Sequence, residues 1–205
     1  MGIIFQEDDL IIKNENTLIL GADILTKRNI KKHLERDYSV IDNTFSYSTK
    51  TVGETIENYN LDLKLLSNIS SKLIKELTFE EYYYLAILLK INANPQILVV
   101  DNVFGYLNLN QRESIIKVCK KNNIHLIVFD NKLYSSFMSY TVIVIHNQKL
   151  AIKGKFKEVV KEEKILKRLG YELPFYVDLS TQLMLYGLIG NVCYSLEELE
   201  ENLWN

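Results

Sequence analysis

Leu77-Thr78-Phe79-Glu80-Glu81-Tyr82-Tyr83-Tyr84-Leu85-Ala86-Ile87-Leu88-Leu89 runs on to Asn94-Pro95, then to Gln96-Ile97-Leu98-Val99-Val100-Asp101-Asn102. Thr78 followed three positions later by Glu81 is a capping box, so a helix starts there. Its body is apolar enough to be largely buried, and Pro95 stops it. Ile97 to Val100 is a short, fully apolar strand that ends on an acid, Asp101. A buried helix feeding a buried strand is the unit of a sheet covered by helices.

Working outward, Gln111 to Lys121 reads as an amphipathic helix, and His125 to Phe129 and Tyr140 to Ile145 as two more apolar strands. Continuous apolar strands alternating with helices predict an α/β fold with a parallel sheet covered on both faces. Upstream, Thr17 to Leu20 is a strand ended by Gly21, and Thr26 to Arg36 is a basic helix with Ile30 and Leu34 on one face. Gly2 to Phe5 and Leu10 to Lys13 read as strands of an N-terminal antiparallel patch. Tyr38 to Ile41 is a further short strand, and Leu61 to Lys75 a helix. After Gly154 the pattern changes to helices with a break at Leu173-Pro174, which divides the chain into 1–154 and 155–205.

The 205 residues are 47% hydrophobic and 24% charged, which suits one packed domain rather than a disordered chain. The 24 basic and 26 acidic residues nearly cancel, which argues against a nucleic-acid partner held by phosphate neutralisation. No apolar run approaches the roughly 20 residues of a membrane span. The first residues, Met1 to Asp8, have no basic region and no cleavage site, so no secretory signal is expected. Cys119 and Cys193 lie far apart, as in a reduced cytosolic protein, and His33, His125 and His146 have no metal-ligand spacing.

Gly21 and Lys27 stand at the spacing of a phosphate-binding loop, G-x-x-x-x-G-K-[ST]. In that motif backbone amides close around phosphates, the lysine reaches them, and a hydroxyl holds Mg²⁺. Here the run is Gly21-Ala22-Asp23-Ile24-Leu25-Thr26-Lys27-Arg28. Thr26 replaces the second glycine, Arg28 replaces the hydroxyl, and Asp23 adds negative charge where phosphates would sit. Lys27 and Asp101 are the surviving candidates for contact with a nucleotide. The alternative for both is a structural ion pair.

Taken in order, Leu77 to Glu81, the helix, Asn94-Pro95, the strand ending in Asp101, and Gly105-Tyr106-Leu107-Asn108 resemble the ATP-binding-cassette (ABC) ATPases. The resemblance implies a RecA-like P-loop NTPase core. It sets Asp101 at the Mg²⁺-binding aspartate, and puts Asn102, Asn108 and Asn131 where the family has its catalytic glutamate, D-loop aspartate and switch histidine. Phe79, Glu80 and Glu81 occupy the signature motif, where small residues let backbone approach a phosphate across a dimer. No glutamine occurs between Gln6 and Gln96 to serve as the one that couples to a membrane subunit. Leu169-Gly170-Tyr171-Glu172-Leu173-Pro174, Tyr186-Gly187-Leu188 and Ser195 to Leu199 resemble the tail of energy-coupling-factor (ECF) ATPases, which serves ATPase–ATPase dimerisation. The resemblance implies a degenerate subunit with no catalytic residue, and with Gly21, Lys27 and Asp101 as vestiges of a nucleotide site. No cofactor is expected, with weak Mg·ATP binding left open. The implied partners are another ABC ATPase subunit or a second copy, and a membrane transporter subunit, at the cytoplasmic face of the cell membrane. An active divergent ATPase and a soluble scaffold without a transporter are the rival readings.

Overall fold

The computed structural model describes residues 15–32, 34, 38–42, 44, 48–57, 59 and 66–204. Its centre is a six-stranded sheet of β1 (Thr17–Leu20), β2 (Tyr38–Ile41), β3 (Ile97–Asp101), β4 (His125–Asp130), β5 (Thr141–His146) and β6 (Lys149–Lys155), in the order β2-β3-β4-β1-β5-β6. The first five run parallel and β6 pairs antiparallel with β5. The resemblance to ABC ATPases implies β4 between β1 and β3, and it lies there, with Thr17 opposite Ile127 and Ile97 opposite His125.

Because strand side chains alternate, the in-register strands sort their apolar residues onto two faces. Leu18, Leu20, Leu98, Val100, Leu126 and Val128 join the larger core, beneath α3 (Phe79–Asn92) and α4 (Leu109–Lys121). Ile19, Val99, Ile127, Phe129, Ile143 and Ile145 face the other way and meet Ile30 of α1 (Ile24–Lys32). Burial on both faces is why the inner strands β1, β3, β4 and β5 are so continuously apolar, unlike the edge strands β2 and β6.

Helix α3 starts at the Thr78 capping box. The Thr78 hydroxyl accepts from the Glu81 amide at 3.2 Å, and the Glu81 carboxylate accepts from the Thr78 amide at 3.0 Å. It buries Tyr83, Tyr84, Leu85, Ile87, Leu88 and Ile91. Each aliphatic side chain among them contributes roughly 1.5–3 kcal/mol by leaving water. The chain leaves α3 through Asn94, whose φ of 49° places it in the left-handed region before Pro95.

Of the helix expected over Leu61 to Lys75, the described part, 66–75, does not form an α-helix. Residues 61–65 lie outside the described residues, and beyond them the chain makes two 3₁₀ turns, Ser67–Ile69 and Ile74–Glu76. The cause is competition for backbone hydrogen bonds. The Val52 amide donates to the Lys72 carbonyl, Gly53 to Ser70, and Ile74 to Lys50, so part of this stretch's backbone pairs with residues 50–53 and only short turns are left within it. The partner stretch leads into α2 (Val52–Ile56), a short helix with its own Thr51–Glu54 capping box. The basic helix begins at Ile24, two residues earlier than expected; of its expected last positions, His33, Glu35 and Arg36 lie outside the described residues. So do the strands expected at Gly2 to Phe5 and Leu10 to Lys13. Strand β6 completes a hairpin whose turn residues, Asn147 and Gln148, both have positive φ, as a two-residue type I′ turn requires.

Beyond β6 come α5 (Phe156–Val159), α6 (Glu163–Arg168), α7 (Phe175–Leu185) and α8 (Leu196–Trp204). Phe156, Val159, Leu166, Leu173, Val177 and Tyr194 pack into the larger core. Ile189, Cys193 and Leu199 form a small separate cluster under Tyr176, Leu179 and Leu183. Helix α7 starts directly after Pro174, and Gly187, at φ +68°, turns the chain away after it. Among the described residues, no helix is long and apolar enough to cross a membrane.

Candidate functional site

The carboxyl ends of β1, β3 and β4 reach the same edge of the sheet, where parallel α/β folds hold their ligands. Gly21 ends β1 with φ +72°. A Cβ there would run into the Ile145 carbonyl oxygen and the Tyr171 hydroxyl, so only glycine fits beneath those two groups. The next turn of chain carries Asp23. Its Oδ1 accepts from the Thr26 amide at 2.7 Å, and its Oδ2 accepts from Gln148 Nε2 at 2.9 Å. The Thr26 amide holds the Asp23 carboxyl below the usual carboxylate range. The acid thus caps the positive end of α1, where an anion would otherwise find free amides.

Lys27 and Lys31, one turn apart on the same face of α1, both reach Asp101 at the end of β3. Lys27 Nζ donates to Oδ1 at 2.6 Å, and Lys31 Nζ to Oδ2 at 2.9 Å. The side chains of the trio are 12–22% exposed. Both ammonium groups also lie over the Phe129 ring, 5.6 and 5.7 Å from its centre. A cleft of about 600 Å³ opens beside them, lined by Ile24, Lys27, Arg28, Lys31, Asp101 and Asn102 among others.

Asn102 adopts φ +55°, and its amide donates to the Phe129 carbonyl at 2.8 Å. Asn131 is exposed at the end of β4, its amide bound by Asp130 Oδ1 at 2.7 Å. Lys27, Asp101 and Asn102 therefore meet in one cleft. Gly21 lies at the end of β1 under Tyr171, and Asn131 is not among the cleft's lining residues. Asp130 itself is buried. Burial raises its pKa, against the opposing pull of the Asn131 and Lys132 amides and the Arg112 guanidinium. That guanidinium sits 4.0 Å above the Tyr134 ring, whose hydroxyl burial pushes up to about 12.

At the start of α3, Glu80 and Asn108, the cap of α4, are tied by an Asn108 Nδ2 to Glu80 Oε1 bond of 2.7 Å. Above them Phe79 stacks on Tyr83 and leans on Tyr106. Glu81 turns away to Lys72 at 2.5 Å. Among the described residues, no group of three or more His, Cys, Asp or Glu side chains is placed to hold a metal ion.

Three members of this arrangement escaped the sequence reading. Lys31 was findable, since it stands four residues after Lys27 on the same helix face. Gln148 and Tyr171 carried no signal, because they arrive from a hairpin turn and from the tail.

No family model matches this chain. Among curated proteins it is similar to the energy-coupling factor transporter ATP-binding protein EcfA of Pediococcus pentosaceus, 23% identical over 96% of this chain and 78% of that protein. It also resembles EcfA1 of Caldanaerobacter subterraneus subsp. tengcongensis, 30% identical over 54% of this chain and 42% of the relative. EcfA1 of Streptococcus agalactiae is 28% identical over 70% and 53%. The chain spans about half the length of these two EcfA1 relatives. Among solved structures, an ATP-binding subunit of an ABC transporter superposes with a TM-score of 0.55 at 13% identity, over 74% of this chain and 82% of that one. A chain of an ABC transporter in an inward-facing conformation gives 0.57 at 12%, over 75% and 77%.

The fold is that of an ABC ATPase subunit, with the RecA-like core that the order of motifs implied. Within that class, the curated relatives that the chain resembles are energy-coupling-factor ATP-binding proteins.

Proposed function

We propose that this chain is a degenerate, non-hydrolytic ATPase-like subunit of an energy-coupling-factor-type transporter, which pairs with another ABC ATPase subunit or with a second copy of itself. The observation that carries the reading is the double pairing of Asp101. Each of its oxygens already accepts from an ammonium group, Lys27 on one and Lys31 on the other, so a Mg²⁺ would have to approach against two cations.

The residues present do not fit Mg·ATP in other ways. Arg28 offers no hydroxyl to the metal, and Asp23 already caps the helix end where phosphates would be cradled. Hydrolysis loses more. A general base contributes about 10²–10⁴-fold, and Asn102 has no carboxylate to act as one. Asn131 likewise offers no imidazole. At the signature position, the Glu80 carboxylate and the Phe79 ring stand where a partner's phosphate would need small residues.

Pairing is supported by the tail. Phe175, Leu185, Tyr186, Leu188 and Trp204 are 62–85% exposed. Large apolar side chains left this exposed within one segment suit a surface that a partner covers, and a stable dimer asks about 800 Å² of each partner. In this reading 1–154 is the nucleotide-binding-like domain and 155–205 the dimerisation segment. The protein sits in the cytoplasm, docked on a membrane subunit.

Calorimetry with Mg·ATP tests the site, and a dissociation constant below about 10 μM, roughly −7 kcal/mol, would overturn it. The rival, an active divergent ATPase, is favoured by Lys27 and Asp101 standing together in an open cleft. Steady-state ATP hydrolysis by the chain, alone and mixed with a neighbouring ATPase, separates the two.

A further inference from the structure

Two surface helices of this chain are complementary in both charge and apolar character. Helix α1 reads ILTKRNIKK, with four cations and no acid. It buries only Thr26 and Ile30, while Ile24 and Leu25 stand 80% and 55% exposed beside the exposed Arg28 and Lys32. Helix α8 reads LEELEENLW, with four glutamates and no cation. It buries only Leu199, while Leu196, Leu203 and Trp204 are exposed beside Glu197 and Glu200.

Within the chain, part of this charge is already committed. Lys27 and Lys31 are held by Asp101, and Glu198 accepts from the Tyr194 amide. Among the described residues, Arg28, Lys32, Glu197 and Glu200 make no ion pair. Arg28 and Lys32 are one turn apart, and so are Glu197 and Glu200, which makes two ladders of similar pitch. Helix α8 also carries acid into its last turn, where the macrodipole favours cations. A cationic helix laid along it corrects that mismatch.

We infer that α1 of one copy docks on α8 of a second copy, pairing Arg28 and Lys32 with Glu197 and Glu200 around an apolar seam of Ile24, Leu25 and Trp204. A two-fold axis makes the contact twice and closes a dimer. The inference goes beyond the pairing proposed above by naming the partner and both faces. It rests on that reading only in placing the tail in an interface.

The test is sedimentation of the full chain at micromolar concentration. The wild type is expected to dimerise, with affinity falling about tenfold or more as salt rises from roughly 50 to 500 mM, because exposed pairs are screened. Arg28→Glu/Lys32→Glu alone and Glu197→Lys/Glu200→Lys alone are each expected to be monomeric and cooperatively folded, melting lower than the wild type only by the stability that dimerisation adds. Each variant sets like charge against like at both contacts, and an equimolar mixture restores opposite charges at both, so the mixture should dimerise again. A mixture that stays monomeric overturns the inference, as does a dimer indifferent to salt and to either variant. If such a dimer is nonetheless lost in Leu188→Asp, the tail pairing stands and the α1–α8 contact falls. A wild-type monomer that instead binds phosphatidylglycerol vesicles through Arg28 and Lys32 assigns α1 to a membrane surface and equally overturns it.

Discussion

Replacing Asp101 by alanine leaves two ammonium groups facing each other across the space of one carboxylate. Each lost bond is a charge-assisted one, and such bonds contribute about 1.5–3 kcal/mol. Removing one partner of a fully buried pair costs about 3–5 kcal/mol. This trio keeps 12–22% exposure, and lysine stems can carry the freed charges toward water. The net loss is therefore nearer 2 kcal/mol than the sum of two bonds. In a chain of this length, each kcal/mol moves the melting temperature by about 2–4 °C, so Asp101→Ala should melt about 6 °C lower. Lys27→Met should cost less, since Asp101 keeps Lys31. The triple variant Lys27→Met/Lys31→Met/Asp101→Ala should recover most of the loss, because no unpaired charge remains. The assay is thermal unfolding followed by circular dichroism, with and without Mg·ATP, and nucleotide should rescue none of the variants. An Asp101→Ala protein melting within about 1 °C of wild type, or a triple variant no better than the single one, would falsify the claim that this trio is a structural ion pair.

Gly21→Ala should destabilise by about 1–3 kcal/mol, through positive φ and collision with the Ile145 carbonyl and the Tyr171 hydroxyl; adding Tyr171→Phe should return part of that loss in the same melting assay. Thr78→Ala removes the cap of α3 and should cost about 1 kcal/mol by urea unfolding; no change would mean that the cap is redundant with the Lys72–Glu81 pair. Asp130 has a pKa raised by burial, so the fold holds its proton more tightly than the unfolded chain does and stability falls as pH rises from the ordinary carboxylate value through the raised one. Asp130→Asn should therefore be more stable than wild type at neutral pH, with the gap closing as pH falls toward 4, roughly the reference aspartate value; a gap that widens on acidification refutes this.

What the sequence by itself determined were the features whose signals act within one turn or one strand. The Thr78–Glu81 box, the Pro95 stop and the apolar run Ile97–Val100 each declare themselves over three to five positions, and α3 and β3 formed where they predict. The place of β4 between β1 and β3 was legible too, through the resemblance to ABC ATPases, in which the strands corresponding to β1 and β3 are not neighbours. The 66–76 stretch was not, because its apolar spacing suits a helix while part of its backbone bonds to residues 50–53. Only the tertiary structure shows which groups Asp101 is paired with. Asp101 lies 74 positions from Lys27 in the chain, and the sequence left it as either a metal ligand or an ion-pair partner. Hydrogen-bonding capacity is spent on whatever arrives within about 3 Å. Only folding brought a second lysine to Asp101, Gln148 to Asp23 and the Tyr171 hydroxyl to Gly21.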